Sequence, residues 1–222
     1  MPHRALVDHR PWLLISLIAG ISYFFVSDAP IGGIWLMLWK GAGGAFLAVY
    51  AAFRGRGSDG ALITTALAFG AMGDIALETS FLIGGALFAT GHAIAITLYL
   101  RNRRAKASPS QALAGLSLLV LTPLIAALMT YPIENWLMAT GYSAIVGAMA
   151  AAAWTSRFPR YRVGLGAVMF VVSDLLIFAR EAAVLPDLVT GWLIWALYYG
   201  AQFLIAVGVV QTLRKDHDSA IG

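Results

Sequence analysis

The sequence predicts an all-α membrane bundle of about eight transmembrane helices with both termini cytoplasmic. Three observations predict it. First, 60% of the 222 residues are hydrophobic and only 12% are charged, against about 25% charged residues in ordinary soluble domains. Second, the apolar residues gather into runs near the ~20 residues that a spanning helix needs. Third, the Lys and Arg residues fall almost wholly into alternate breaks between those runs. A soluble fold of this length has too little interior to hide so much apolar surface, so lipid is the natural solvent.

The runs give spans at 11–27, 31–53, 60–78, 80–100, 111–130, 133–155, 162–180 and 188–212. The first could pass for a signal peptide, with Arg4 and Arg10 ahead of an apolar stretch from Trp12 to Val26. Val26-Ser27-Asp28-Ala29-Pro30 is a poor cleavage site, however, and many more apolar runs follow, so it is read as the first helix. The breaks carry turn formers: Asp28-Ala29-Pro30, Gly55-Arg56-Gly57, Ser108-Pro109, Tyr131-Pro132, Phe158-Pro159 and Pro186-Asp187. The third and fourth spans nearly touch. No linker or low-complexity segment divides the chain, so residues 1–222 are expected to form a single integral membrane domain.

Thirteen of the fifteen Lys and Arg residues lie at the N-terminus (Arg4, Arg10), in alternate loops (Arg54, Arg56; Arg101, Arg103, Arg104, Lys106; Arg157, Arg160, Arg162) or at the C-terminus (Arg214, Lys215). The opposite side keeps only Arg180, and Lys40 lies within a span. This bias puts both termini in the cytoplasm. The expected location is multi-pass in a bacterial inner membrane. The net charge of +4 is loop charge and implies no nucleic-acid partner. The absence of cysteine removes thiolate metal sites, disulfides and a cysteine nucleophile.

Ionisable groups inside a span cost roughly 2.5–3.5 kcal/mol each on insertion scales and usually face a cavity. Lys40, Asp74, His92 and Asp174 are such groups, with Glu78 and Arg180 near span ends. Counted along helices of about 1.5 Å rise per residue, these groups fall between the midplane and the outer surface, as do Tyr198, Tyr199 and Gln202. Each also has a plain structural reading. Lys40 can serve as counter-ion to an Asp. The two Asp residues and Gln202 can bridge helices, and His92 can be a satisfied core histidine. Trp195, Tyr198 and Tyr199 can pack or form an aromatic belt. The Gly41, Gly43 and Gly44 cluster reads as close helix packing. The third span, with Phe-Gly-Ala-Met-Gly-Asp74, faintly echoes the seventh, with Phe-Val-Val-Ser-Asp174, and four spans per half would make parallel repeats.

Other chemistries lack their motifs. There is no His-Glu-x-x-His and no phosphate loop. Gly141-Tyr-Ser143-Ala-Ile lacks the second glycine of a nucleophile elbow. One histidine within the spans cannot make a His-rich zinc site, while a site of two Asp and one His stays open.

Gly73-Asp74 in the third span, Gly84-x-x-x-Phe88-x-x-Gly91-His92 in the fourth, Phe170-x-x-Ser173-Asp174 in the seventh and Tyr198-Tyr199-x-Ala201-Gln202 in the eighth resemble the YhhN-like lysoplasmalogenase family. The resemblance runs from about residue 12 to 212. Gly41 stands where that family usually has a proline after the lysine, and Ala95 where a tyrosine often follows the histidine. The family is similar to a wider set of membrane hydrolases that includes alkaline ceramidases, whose histidine-rich metal site this sequence cannot build.

The resemblance implies hydrolysis of the vinyl ether of a lysophospholipid substrate within the lipid bilayer, giving a fatty aldehyde and glycerophospho-ethanolamine or -choline. No cofactor is expected. Enol ethers hydrolyse by protonation at carbon, and water attacks the resulting oxocarbenium ion. That calls for one carboxylic acid and one carboxylate, as in glycosidases. Asp74 and Asp174 are the expected catalytic pair. Lys40, Glu78, His92, Ser173, Tyr198, Tyr199 and Gln202 are expected to support them or bind substrate. Intramembrane Asp, Lys and His also mark proton relays, so a proton-coupled small-molecule transporter is the alternative.

Overall fold

Long apolar runs in lipid must satisfy every backbone donor and acceptor internally, and the helix does so within one segment. The computed structural model of the chain describes residues 11–27, 31–131 and 133–221. Arg4 and Arg10, the Asp28-Ala29-Pro30 break and Pro132 lie outside the described residues. The described residues form α1 (Pro11–Val26), α2 (Gly33–Arg54), α3 (Gly57–Leu77), α4 (Phe81–Arg101), α5 (Pro109–Thr130), α6 (Trp136–Thr155), α7 (Leu165–Glu181) and α8 (Asp187–Ile221). Seven of these segments are long and apolar enough to cross a bilayer, α7 together with the π-helical turn Arg160–Gly164 that leads into it. α1, at 16 residues, is apolar but shorter. The chain is therefore an all-α, multi-pass integral membrane protein.

The expected spans agree with the helices except at the last. There the helix runs on to Ile221 instead of stopping near 212. Lys215, Asp216, His217 and Asp218 in that extension are exposed. Polar side chains end an apolar run, but helix-compatible ones do not end a helix.

By packing, the residues divide into two compact units, Met1–Ile94 with Val210–Gly222, and Ala95–Val209. In the first, α1 lays Leu13, Ser16, Gly20 and Tyr23 inward and presents Ile18, Ile21 and Phe25 outward. Ser16 Oγ donates to the Gly43 carbonyl of α2 at 2.7 Å, and Trp39 Nε1 donates to Ser22 Oγ at 3.0 Å. α2 packs on α3 through small residues: a Cβ built at Gly41 would sit 2.6 Å from Ile75 Cγ1 and 3.1 Å from the Ala71 carbonyl oxygen. α3 meets α4 the same way, with a Cβ at Gly91 only 3.0 Å from the Ala66 carbonyl oxygen. Such contacts let backbones approach where lipid supplies no hydrophobic drive between helices.

The second unit repeats this construction. α5 turns Leu113, Leu116, Leu124 and Leu128 outward and packs on α6. A Cβ at Gly147 would lie 2.8 Å from the Leu118 carbonyl oxygen. α7 meets α8 where a Cβ at Gly166 would lie 2.9 Å from the Ala201 carbonyl oxygen. Gly147→Leu is expected to cost roughly 2 kcal/mol, the range for overpacking against atoms that cannot yield. Gly141→Ala, with nothing within 4 Å of the new Cβ, should be neutral or mildly stabilising. Thermal unfolding in detergent checks both.

The faint echo in the sequence recurs in the pattern of buried positions. α3 buries Ile63, Leu67, Ala71, Gly73 and Asp74; at the same spacing the π-helical turn buries Val163 and α7 buries Ala167, Val171, Ser173 and Asp174. α2 buries Gly41, Gly44, Leu47, Ala48, Tyr50 and Ala51, matched in α6 by Ser143, Val146, Met149, Ala150, Ala152 and Ala153. Phe88, Gly91 and His92 of α4 correspond to Tyr198, Ala201 and Gln202 of α8, all buried. The α3–α4 contact between Ala66 and Gly91 recurs between α7 and α8 at Gly166 and Ala201, with the glycine moved to the other helix.

Within the second unit, the segment after α4 is pinned to the one after α6. Arg103 and Ser156 form an antiparallel bridge. Arg157 donates its backbone N–H to the Asn102 carbonyl at 2.8 Å and its Nε to Asn102 Oδ1 at 2.7 Å. Ser108 then caps α5 reciprocally with Gln111. Asn102→Ala removes a charge-assisted bond at a buried position. It is expected to cost about 1.5 kcal/mol, read as a fall of about 3–6 °C in Tm.

Candidate functional site

Both carboxyls singled out in the sequence are buried inside helices, each in its own unit. Asp74 lies in the penultimate turn of α3 and is 2% exposed; Asp174 lies in the middle of α7 and is 7% exposed.

In the first unit the polar groups lie on α2, α3 and α4. Lys40 of α2 extends its Nζ to Glu78 Oε1 at the end of α3. The expected pairing of Lys40 with an Asp is replaced by this one, one helical turn beyond Asp74. Glu78 thus holds the cation that the span would otherwise carry alone. Gly73, next to Asp74, lies against the Phe88 ring, with a built Cβ 2.7 Å from it. Phe88 in turn stacks on the ring of His92 one turn along α4, with centroids 6.5 Å apart, and His92 is buried.

In the second unit, Asp174 Oδ2 accepts a hydrogen bond from the Tyr142 hydroxyl of α6 at 2.9 Å. The Tyr142 ring meets Phe178 edge to face at 6.0 Å and packs on a cluster of Ala126, Ala139 and Phe178. Ser173 Oγ donates to the Ile194 carbonyl of α8 at 2.9 Å, so this hydroxyl ties α7 to α8 beside the carboxyl. Gln202 Nε2 donates to Tyr198 Oη at 3.2 Å along α8. Tyr198 packs edge-on to Phe170, and Trp195 lies against both Tyr198 and Tyr199.

The structure thus joins Lys40 with Glu78, and His92 with the Phe88 ring beside Gly73-Asp74. It also joins Tyr198 with Gln202. Sequence reasoning passed over Tyr142, the residue that touches Asp174. The available signal was a phenol nine residues into the 133–155 span, between the Gly141 and Ser143 read above only as an incomplete nucleophile elbow. Among the described residues, no three His, Asp or Glu side chains converge as metal ligands.

A buried carboxyl with a neutral donor, and a second near a cation–carboxylate pair, can supply acid–base chemistry in a medium of low dielectric. Compared with models of known families, residues 35–209 match that of the YhhN family. No curated protein and no solved structure matches the chain.

Proposed function

Because the chain belongs to the YhhN family, we propose that it is an intramembrane hydrolase of the lysoplasmalogenase type. It would cleave the vinyl ether of a lysoplasmenyl phospholipid to a fatty aldehyde and glycerophospho-ethanolamine or -choline. The observation that carries this reading is the burial of two Asp carboxyls at the same register of α3 and α7, each set among polar groups that lipid would otherwise exclude. The charge split of the loops supports cytoplasmic termini.

The chemistry needs one proton, one water and no redox step. A carboxylic acid delivers its proton to the alkenyl carbon remote from oxygen, and the double-bond electrons form that C–H bond. The ether carbon becomes an oxocarbenium ion, which a carboxylate stabilises. Water adds to it and returns a proton to the first carboxylate. The hemiacetal then collapses: its O–H proton passes to the glycerol oxygen as the C–O bond to glycerol breaks, releasing the aldehyde. Asp74 and Asp174 are the buried carboxyls available for these roles. His92, Tyr198, Tyr199 and Gln202 are suited to hold water or the glycerol oxygens. A lysolipid, with one chain, asks for less space among helices than a two-chain lipid does.

The test is aldehyde release from a lysoplasmenyl lipid by the detergent-purified protein, with and without chelator. Release that persists with chelator is expected. No aldehyde from folded wild-type protein would overturn the reading, and uptake driven by a proton gradient in vesicles would then establish the transporter.

A further inference from the structure

The two units carry the same arrangement with different chemistry. Aligning the two units by their buried residues sets half-buried Lys40 against half-buried Tyr142, exposed Glu78 against buried Phe178, and buried His92 against buried Gln202. Every ionisable side chain of the first set has a neutral counterpart in the second, except one. Asp74 and Asp174 occupy equivalent positions and are the ionisable pair the two halves share. The contacts follow the same correspondence. Lys40 of α2 reaches Glu78 of α3, and Tyr142 of α6 touches both Asp174 and Phe178 of α7.

We infer that the halves have divided the labour, with Asp174 as the carboxylic acid that protonates the substrate carbon and Tyr142 as the residue that positions it. This assignment rests on the hydrolase reading above. The phenol is a neutral donor, and its O–H occupies Oδ2 at 2.9 Å, which leaves Oδ1 to carry the transferable proton. A cation in the place of the phenol would hold the group as a carboxylate instead. The ring is held by its edge-to-face contact with Phe178 and by packing on the cluster of Ala126, Ala139 and Phe178. The neighbouring Ser173 hydroxyl fixes this turn of α7 to α8. In the step itself the Asp174 O–H bond breaks and the new C–H bond forms. Water later restores the proton to Asp174, so the acid is regenerated; one water has then added across the double bond, and collapse of the hemiacetal breaks the C–O bond to glycerol.

The test pairs kinetics with infrared spectroscopy of the intact protein in detergent near neutral pH. Tyr142→Phe keeps the ring and removes the donor. It is expected to lower kcat roughly ten- to hundredfold with KM within about twofold of wild type, as for a misplaced reacting group. Without any substrate, wild-type protein should show a protonated-carboxyl C=O band that Asp174→Asn removes and Tyr142→Phe shifts. A merely structural tyrosine would leave that band in place. Absence of an Asp174 band would overturn the acid assignment, and an unchanged kcat in Tyr142→Phe would overturn the positioning role. If wild-type protein released no aldehyde while the band behaved as described, the hydrolase reading alone would fall, and the Tyr142-held acid would stand.

Discussion

Asp174→Asn is expected to lower aldehyde release by about 10²–10⁴-fold, the usual contribution of a positioned proton donor. The substitution is close to isosteric, and the Asn side-chain oxygen still accepts the Tyr142 hydrogen bond now made to Oδ2. What disappears is the acidic proton, since a neutral amide cannot deliver one to carbon. Folding should survive, because the contacts that hold this part of α7 belong to its neighbours. Ser173 bonds to the Ile194 carbonyl, Gly166 seats against Ala201, and Phe178 packs on the Tyr142 ring. The solvent isotope effect gives an independent reading. Wild-type enzyme transferring a proton to carbon should show a normal effect on kcat. Asp174→Asn protein whose activity and isotope effect both matched wild type would exclude Asp174 as the donor.

The bundle was legible in the sequence because lipid imposes one rule on every span, and composition reports that rule directly. Helix ends were less legible. At α8 the polar residues from Arg214 onward stop the apolar run while the helix continues. The repeat showed only as an echo around Asp74 and Asp174, because its halves agree in burial more than in identity. Gly70 of one stands against Phe170 of the other, and Gly73 against Ser173. Only contacts reveal that Ala66–Gly91 and Gly166–Ala201 are one feature with the glycine exchanged. Tyr142 escaped for a related reason. A phenol in a span reads as packing until a carboxyl on another helix is found 2.9 Å away. Lys40 was legible as a cation needing a partner, but the choice of Glu78 depends on how α2 sits along α3, which the small Gly41 face sets.

Asp74→Asn is the second large loss, expected at about 10²–10³-fold in kcat, the range for removing one preorganised group that meets developing charge. Its setting differs from that of Asp174 in kind. Asp74 follows Gly73, whose lack of a side chain lets the Phe88 ring close over this turn of α3, and it precedes the Lys40–Glu78 pair by one turn. A carboxylate beside an ion pair suits stabilisation of the oxocarbenium ion better than proton donation. The two variants should therefore fail differently. In Asp74→Asn the proton still comes from Asp174, so the normal solvent isotope effect persists or grows as protonation becomes more fully rate-limiting. In Asp174→Asn the residual rate relies on water, and the dependence on the bound acid disappears. KM should move little in Asp74→Asn, because a charge that meets only the transition state contributes to kcat and leaves ground-state binding alone. If Asp74→Asn raised KM and spared kcat, Asp74 would be a substrate contact, and the stabilising carboxylate would have to be sought in Glu78.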